Sequence, residues 1–209
     1  MKDILRRHSL LAEEIAESIN RQIKMEAQSS AAYLAMAAWC DTHGYDNSAT
    51  FFYQQSEEER KHQLKFFHYL ADMECPPVSP TVGESQHEFA DLRSVYEKAL
   101  EMEIAVSDSI HEIVRLTRQH SDLATEEFLK WFVTEQIEEE FVARKTLELF
   151  DTLGEDKIAL GMIEDRVLGI SYNSPTASES NEKGWLHKLT KPRRATRSPF
   201  LCSKAYKEQ

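Results

Sequence analysis

The stretch QSEEERKH, residues 55–62, lies within a segment from about position 46 to position 73 that contains neither proline nor glycine. Residues spaced three and four apart along this segment fall on one face of an α-helix, and Phe66 lies on the same face as Glu59 and His62. A carboxylate and an imidazole three residues apart point in nearly the same direction from a helix. The stretch therefore predicts a long helix that turns two kinds of metal-binding side chain toward its neighbours.

Three other segments of similar length show the same helical spacing without an internal proline or glycine. The connection from Pro76 to His87 contains three prolines and one glycine, which predicts a long crossover over the end of a bundle rather than a hairpin. The pattern indicates an all-α fold, a four-helix bundle with one long crossover and a short fifth helix. The predicted helices run from about Leu10 to Asp41, Asp46 to Met73, Glu88 to Gln119, the cap at Ser121-Asp122 to Thr152, and 155 to 169.

Each of the four long helices carries one acidic residue on the face that should meet its partners. A single glutamate there is compatible with a half-exposed position at the bundle edge. Four such glutamates together do not fit that explanation. Burying an ionised carboxylate costs several kcal/mol unless a positive charge compensates it, and no Lys or Arg lies on these faces. Two divalent metal ions would balance the four charges, and carboxylates with one imidazole suit iron or manganese. The four residues are Glu26, Glu59, Glu103 and Glu139.

Composition limits the function further. The net charge is −11, but residues 172–209 hold eight Lys/Arg and three Asp/Glu, so residues 1–171 carry most of the negative charge and favour cations over nucleic acid. No apolar run reaches the roughly 18 residues that a membrane helix needs, and the charged start leads into Glu13-Glu14 rather than into a signal sequence. Three widely spaced cysteines form no disulfide framework, so we expect a cytoplasmic protein.

Several segments resemble the bacterial non-haem ferritins, and the resemblance covers about residues 10–171. It implies an up-down ferritin-like bundle whose fifth helix packs about the four-fold axis of a hollow, 24-subunit homo-oligomer. It also implies ferroxidase activity, the oxidation of Fe²⁺ by O₂, and storage of the ferric mineral inside the shell. The segments that carry it are INRQ (19–22) followed by Glu26, SSAAYLAMAAWC (29–40), QSEEERKH (55–62), Glu103 and FLKWFVTEQIEEE (128–140).

The resemblance also implies a ligand set for two iron ions in each subunit. One iron would be bound by Glu26, Glu59 and His62. Glu59 would bridge to the second iron, which Glu103 and Glu139 complete. The pair Glu59-x-x-His62 is the motif by which bundles of this kind bind metals.

Other residues are assigned by the same resemblance. Gln136 supplies an amide on the oxygen-binding side. Tyr33 beside the centre and Trp131 near it would donate electrons during the reduction of O₂. Aromatic packing in the core would explain Tyr33 and Trp131 equally well. A third iron site on the inner surface is a further implication, for which a solvated acidic face is the alternative. Its ligands would be Glu58, Glu135, Glu138 and Glu139.

Related families fit less well. Haem-containing bacterioferritins have a second Glu-x-x-His where this chain has Gln136 and Glu139, and they bind haem through a methionine on the second helix. No methionine occurs between Met36 and Met73, so we expect no haem. The chain has no C-x-x-C pair of the rubrerythrin type. The mini-ferritins bind iron between subunits and lack the fifth helix.

Composition divides the chain into a ferritin-like domain, residues 1–171, and a basic, Ser-rich tail, residues 172–209. We expect the tail to be disordered. An alternative function rests on this tail, namely a nucleic-acid-binding module on a ferritin shell. Cationic side chains would contact phosphates and aromatic ones would stack on bases. The residues in question are Lys188, Lys191, Arg193, Arg194, Arg197, Trp185 and Phe200.

Overall fold

The computed structural model describes residues 11–172, and within them the secondary structure is entirely helical. This confirms the predicted all-α class and the number of helices. The basic tail, with the contacts predicted for it, lies outside the described residues except for Tyr172. None of the described helices combines the length and the apolar character needed to cross a membrane. The helices are α1 Glu13–Thr42, α2 Asp46–Asp72, α3 Leu92–Gln119, α4 Leu123–Leu153 and α5 Lys157–Val167.

The start of α3 differs from the prediction because a capping box fixes it. Asp91 accepts a hydrogen bond from the amide of Ser94 (2.8 Å), and the Ser94 hydroxyl accepts one from the amide of Asp91 (3.2 Å). The helix therefore begins at Leu92, four residues after the predicted Glu88. The fifth helix is also shorter than predicted, since Asp156 caps it and it ends at Val167.

The crossover between α2 and α3 runs along the length of α1 rather than over the end of the bundle, which corrects the predicted path. The amide of Val78 donates to Oδ1 of Asn20 (2.8 Å), and the amide of Gly83 donates to Oε1 of Gln28 (2.8 Å). Asn20 and Gln28 are eight residues apart, about 12 Å along a helix. The crossover thus returns the chain to the other end of the bundle, and α3 runs parallel to α2.

Two apolar clusters fill the bundle, and a polar layer separates them. One cluster includes Phe52 and Tyr96, and the other includes Ile19, Phe66 and Ile110. On each of the first three helices the buried glutamate lies in sequence between residues of the two clusters. The packing that holds the helices together therefore also positions the acidic side chains at the middle of the bundle.

The fifth helix is attached to the start of α2 by a carboxylate cap. Glu164 accepts hydrogen bonds from the backbone amide of Asn47 (2.9 Å) and from the amide and hydroxyl of Ser48. The Ser48 hydroxyl in turn accepts a hydrogen bond from Tyr96 (2.8 Å). Residue Tyr45, at the N-cap position of α2, makes no side-chain cap. Glu164 therefore satisfies two of the free amides at the start of α2 and complements the positive end of its dipole.

Candidate metal centre

The four acidic residues predicted to face the interior are all buried, one from each long helix. Glu26 is 0% exposed, Glu59 and Glu103 are each 1% exposed, and Glu139 is 7% exposed. The sequence fixes these positions because each glutamate occupies the apolar face of its own helix. His62 follows Glu59 by one turn of α2 and is 4% exposed.

Three of these side chains converge closely enough to bind one metal ion. An oxygen of Glu26, an oxygen of Glu59 and a ring nitrogen of His62 lie within 4.8 Å of one another. In the part of the chain that the structure describes, this is the one compact group of three such ligands. Its members are the three residues expected to hold the first iron.

The carboxylate oxygens of this group lack the partners that burial normally requires. Oε2 of Glu26 and both side-chain oxygens of Glu59 are buried, and no hydrogen bond from the described residues satisfies them. Buried polar atoms in proteins are nearly always hydrogen-bonded, and an unpaired buried carboxylate is costly. A bound cation would supply the missing partner, so the residues present fit a metal ion.

Burial raises the pKa of every carboxyl group in the centre, and repulsion from neighbouring carboxylates adds to the rise for Glu59, Glu103 and Glu139. The pKa of Glu59 lies well above its usual value because of burial and the charges of Glu26 and Glu103. Burial also raises the pKa of Glu26, and the hydrogen bond from Gln22 opposes the rise. The pKa of Glu139 is likewise well above normal, first because of burial and then because of Glu103 and Glu58. Divalent cations would reverse these shifts, since they favour the charged form.

Glu103 is fixed from two sides by groups on α1 and α4. The Tyr33 hydroxyl donates to Oε1, and Nε2 of Gln136 donates to Oε2 at 3.0 Å. Burial raises the pKa of Glu103 to about 7, while these two hydrogen bonds oppose the rise. Tyr33 and Gln136 are therefore both in direct contact with a candidate ligand. Gln136 also lies 3.4 Å from the hydroxyl of Ser107.

His62 is held neutral, the form in which an imidazole binds metal. Burial, together with the charges of Lys65 and Lys61, lowers its pKa to about 3. The ring packs edge-to-face against Trp131, with centroids 5.3 Å apart. The ammonium group of Lys65 lies over the ring of Trp131. Trp131 thus contacts a candidate ligand, and packing alone accounts for that contact.

The residues expected to form a third site lie beside Glu139 but are less enclosed. Glu58, Glu135 and Glu138 are each partly exposed, and their charges contribute to the raised pKa of Glu139. Nε2 of Gln55 donates to Glu58 at 3.1 Å. The three partly exposed carboxylates are therefore close enough to Glu139 for their charges to affect its pKa.

Two residues that the sequence did not mark as functional also belong to the site. Gln22 on α1 is 0% exposed, and its Nε2 donates to Oε1 of Glu26 at 2.7 Å. The hydroxyl of Ser109 on α3 donates to Oε1 of Gln22 at 2.5 Å. The sequence contains a signal for Gln22, which lies one turn before Glu26 on the same face. It contains none for Ser109, because the shift of α3 along α1 is a property of the packed bundle.

Known proteins match this chain over the whole bundle. The ferritin-like domain family matches residues 16–153. A bacterial non-heme ferritin of Staphylococcus epidermidis is 31% identical over 164 residues, which cover 78% of this chain and 99% of that protein. A probable bacterial non-heme ferritin-like protein of Haemophilus influenzae is 35% identical over 160 residues, which cover 77% of this chain and 96% of that protein.

Solved structures give the same result. An open pore ferritin from the archaeon Archaeoglobus fulgidus is 33% identical, with a TM-score of 0.73 over 76% of this chain and 96% of that one. A closed form of the Archaeoglobus fulgidus ferritin, engineered by mutagenesis, is 31% identical, with a TM-score of 0.73 over 78% of this chain and 99% of that one. The residues that the family matches extend from the first turn of α1 to the end of α4. The chain belongs to the ferritin-like family.

Proposed function

We propose that this protein is an iron-storage ferritin with ferroxidase activity, which oxidises Fe²⁺ with O₂ and deposits the ferric product inside a shell of 24 copies in the cytoplasm. The observation that carries the proposal is the group of buried carboxylate oxygens without hydrogen-bond partners beside a neutral imidazole. The names of the related ferritins and the strongly acidic body of the chain support it.

In this proposal each subunit binds two Fe²⁺ ions as substrate. Glu26 and His62 hold the first ion, and Glu59 bridges the two ions because neither of its oxygens is engaged by a donor. Glu103 and Glu139 complete the site of the second ion. Iron binding expels the protons that the raised pKa values retain, so the carboxylates become fully charged only when the metal is present.

The reaction balances with two Fe²⁺, one O₂ and two protons drawn from the solvent. Each Fe²⁺ loses one electron, O₂ takes up the two electrons and two protons, and the products are two Fe³⁺ ions and hydrogen peroxide. The protein holds the two ions at a fixed separation and excludes bulk water. The amide of Gln136 and the hydroxyl of Tyr33 hold the carboxylate of Glu103 in one orientation while the metal charge changes.

Storage requires the ferric ions to leave the centre. Glu58, Glu135 and Glu138 are partly exposed and close enough to Glu139 for their charges to raise its pKa. We propose that they form the third iron site and the first step of the route inward. Their negative charges would attract Fe³⁺ and compete for it with the two-iron centre.

The test is Glu59→Ala, with Glu57→Ala as the matched control because Glu57 lies on the same helix and is exposed. Stopped-flow absorbance after mixing with Fe²⁺ and O₂ should show the oxidation of the first two irons per chain slowed at least tenfold in the first variant. The control should match the wild type. Equal rates in Glu59→Ala and wild type would refute the site, and no iron retained after gel filtration of the wild type would refute storage.

The basic tail motivates a second proposal, contact with nucleic acid. Its eight Lys/Arg against three Asp/Glu contrast with the acidic body. A gel shift of duplex DNA that weakens with salt and disappears when the chain is truncated at Tyr172 would support it. The absence of any shift at low salt would end it.

A further inference from the structure

We infer that Gln22 is a positioning residue for the metal ligand Glu26, and that Ser109 holds Gln22 in the orientation this requires. The inference rests on the proposed function to the extent that Glu26 is a ligand. It adds a hydrogen-bond chain that links α3 to the first iron position through α1.

The direction of this chain follows from the chemistry of its members. Glu26 as a carboxylate only accepts hydrogen bonds, so the atom of Gln22 that lies 2.7 Å from its Oε1 is the amide nitrogen Nε2. The amide oxygen then faces Ser109, whose hydroxyl donates to it at 2.5 Å. The hydroxyl of Ser109 therefore fixes which way the amide of Gln22 is turned.

The consequence for Glu26 is that its two oxygens differ. Oε1 is held by Gln22, whereas Oε2 is buried and has no hydrogen-bond partner among the described residues. Oε2 is therefore the oxygen presented to the metal, and Glu26 should bind through that oxygen alone. Glu59, with both oxygens unpartnered, remains the ligand suited to bridging.

A second buried glutamine lies on the opposite side of the centre, with a different serine contact. Nε2 of Gln136 donates both to Oε2 of Glu103 (3.0 Å) and to the hydroxyl of Ser107 (3.4 Å), whereas Ser109 donates to the amide oxygen of Gln22. Each side of the centre thus has a buried glutamine that orients a carboxylate and a serine that contacts the glutamine. Gln22 contacts a proposed ligand of the first iron, Glu26, and Gln136 contacts a proposed ligand of the second, Glu103.

A purely structural role would make different demands on position 22. This position is 0% exposed, and an apolar side chain there would avoid burying an amide, which is costly when no hydrogen bond satisfies it. The amide is instead satisfied by donating to a candidate ligand. Hydrogen-bond partners of metal ligands typically contribute about 10–100-fold to metal affinity. A change at Gln22 should therefore alter metal binding in addition to stability.

The experiment compares Gln22→Met, which preserves the volume but not the donor, with Ser109→Ala and with Gln28→Met as the matched control. Gln28 lies on the same helix and holds the crossover instead of a ligand. Anaerobic calorimetric titration with Fe²⁺, and the visible absorption spectrum of bound Co²⁺, report on affinity and coordination. We expect Gln22→Met to weaken the first metal ion per chain about tenfold or more and to change the Co²⁺ spectrum. Ser109→Ala should act in the same direction, and Gln28→Met should alter only the melting temperature.

The outcomes separate the inference from the proposed function. If the wild type binds neither Fe²⁺ nor Co²⁺, the proposed function fails. If the wild type binds both and Gln22→Met binds them with unchanged affinity and spectrum, the positioning role of Gln22 is wrong while the function stands. Should Gln22→Met fail to fold, Ser109→Ala decides the question, because unchanged Co²⁺ binding in that variant overturns the inference.

Discussion

The hydroxyl of Tyr33 on α1 donates a hydrogen bond to the carboxylate of Glu103 on α3, across the middle of the bundle. This contact stabilises the charged form of a carboxyl group that burial would otherwise keep protonated. Tyr33 also packs its ring against Phe52, with centroids 5.9 Å apart. The residue thus joins the polar layer of the centre to one of the two apolar clusters.

Replacing Tyr33 with phenylalanine should raise the pKa of Glu103 above about 7, because the hydrogen bond that opposes the effect of burial is lost. A hydrogen bond to a charged group is worth roughly 1.5–3 kcal/mol, which corresponds to one to two pKa units. We expect Fe²⁺ oxidation at pH 6.5 to slow by about tenfold and to approach the wild-type rate as the pH rises above 8.

The matched control is Tyr53→Phe, since Tyr53 is an exposed tyrosine on α2. Stopped-flow rates measured between pH 6 and 8.5 would test both variants. A rate that falls equally at every pH would show that Tyr33 acts by a route other than the protonation of Glu103.

The stability of the iron-free protein should decrease as the pH rises from about 5 to 8. The carboxyl groups of the centre have higher pKa values in the folded chain than in the unfolded chain. Their contribution is therefore complete below the unfolded pKa of about 4.5 and is lost as the pH rises through the folded values. His62 has the opposite sign, because its folded pKa of about 3 is below normal, so its contribution is lost as the pH falls below about 6.5.

Four raised groups outweigh the one lowered group, and each additional proton retained by the folded state changes the stability by about 1.4 kcal/mol per pH unit. The melting temperature of the metal-free protein should therefore fall steadily from pH 5 through 6 and 7 to 8. At each pH, saturating Zn²⁺, which cannot be oxidised, should raise it. Glu103→Gln should flatten the part of the curve near pH 7. A metal-free melting temperature that increases with pH over this range contradicts the prediction.

The cap that Glu164 provides should contribute to stability and not to catalysis. Glu164→Ala removes the acceptor for two amides at the start of α2, and such caps are worth about 1 kcal/mol. For a domain of this size we expect a fall in melting temperature of about 2–4 °C, with the oxidation of the first two irons unchanged. Asp165→Ala, at an exposed position next in sequence, should have no effect on either. Equal melting temperatures in the two variants would exclude the capping role.

The sequence predicted the acidic layer because the information needed is local. Whether Glu26 or Glu139 faces inward depends only on the spacing within its own helix, and the four faces could be determined separately. The contact between Gln22 and Ser109 could not be determined in this way, since it depends on how far α3 is shifted along α1. The path of the crossover was predicted wrongly for a related reason, because the polar contacts that hold it are made by a distant stretch of α1.

Removing the charges of Glu58, Glu135 and Glu138 should separate oxidation from storage. The triple change to glutamine preserves size and leaves the five proposed ligands of the two-iron centre intact. It also lowers the pKa of Glu139, since it removes charges that raise it. We expect the first two Fe²⁺ ions per chain to be oxidised within about fivefold of the wild-type rate, because lost repulsion of a partly exposed charge is worth only about 0–1 kcal/mol. Later additions of Fe²⁺ should be oxidised more slowly, and less iron should remain with the protein after gel filtration.

The control is Glu127→Gln with Glu148→Gln, two exposed positions on α4 that should leave both measurements unchanged. Wild-type retention of iron in the triple variant would assign these three residues to a solvated surface and remove the third site from the proposal.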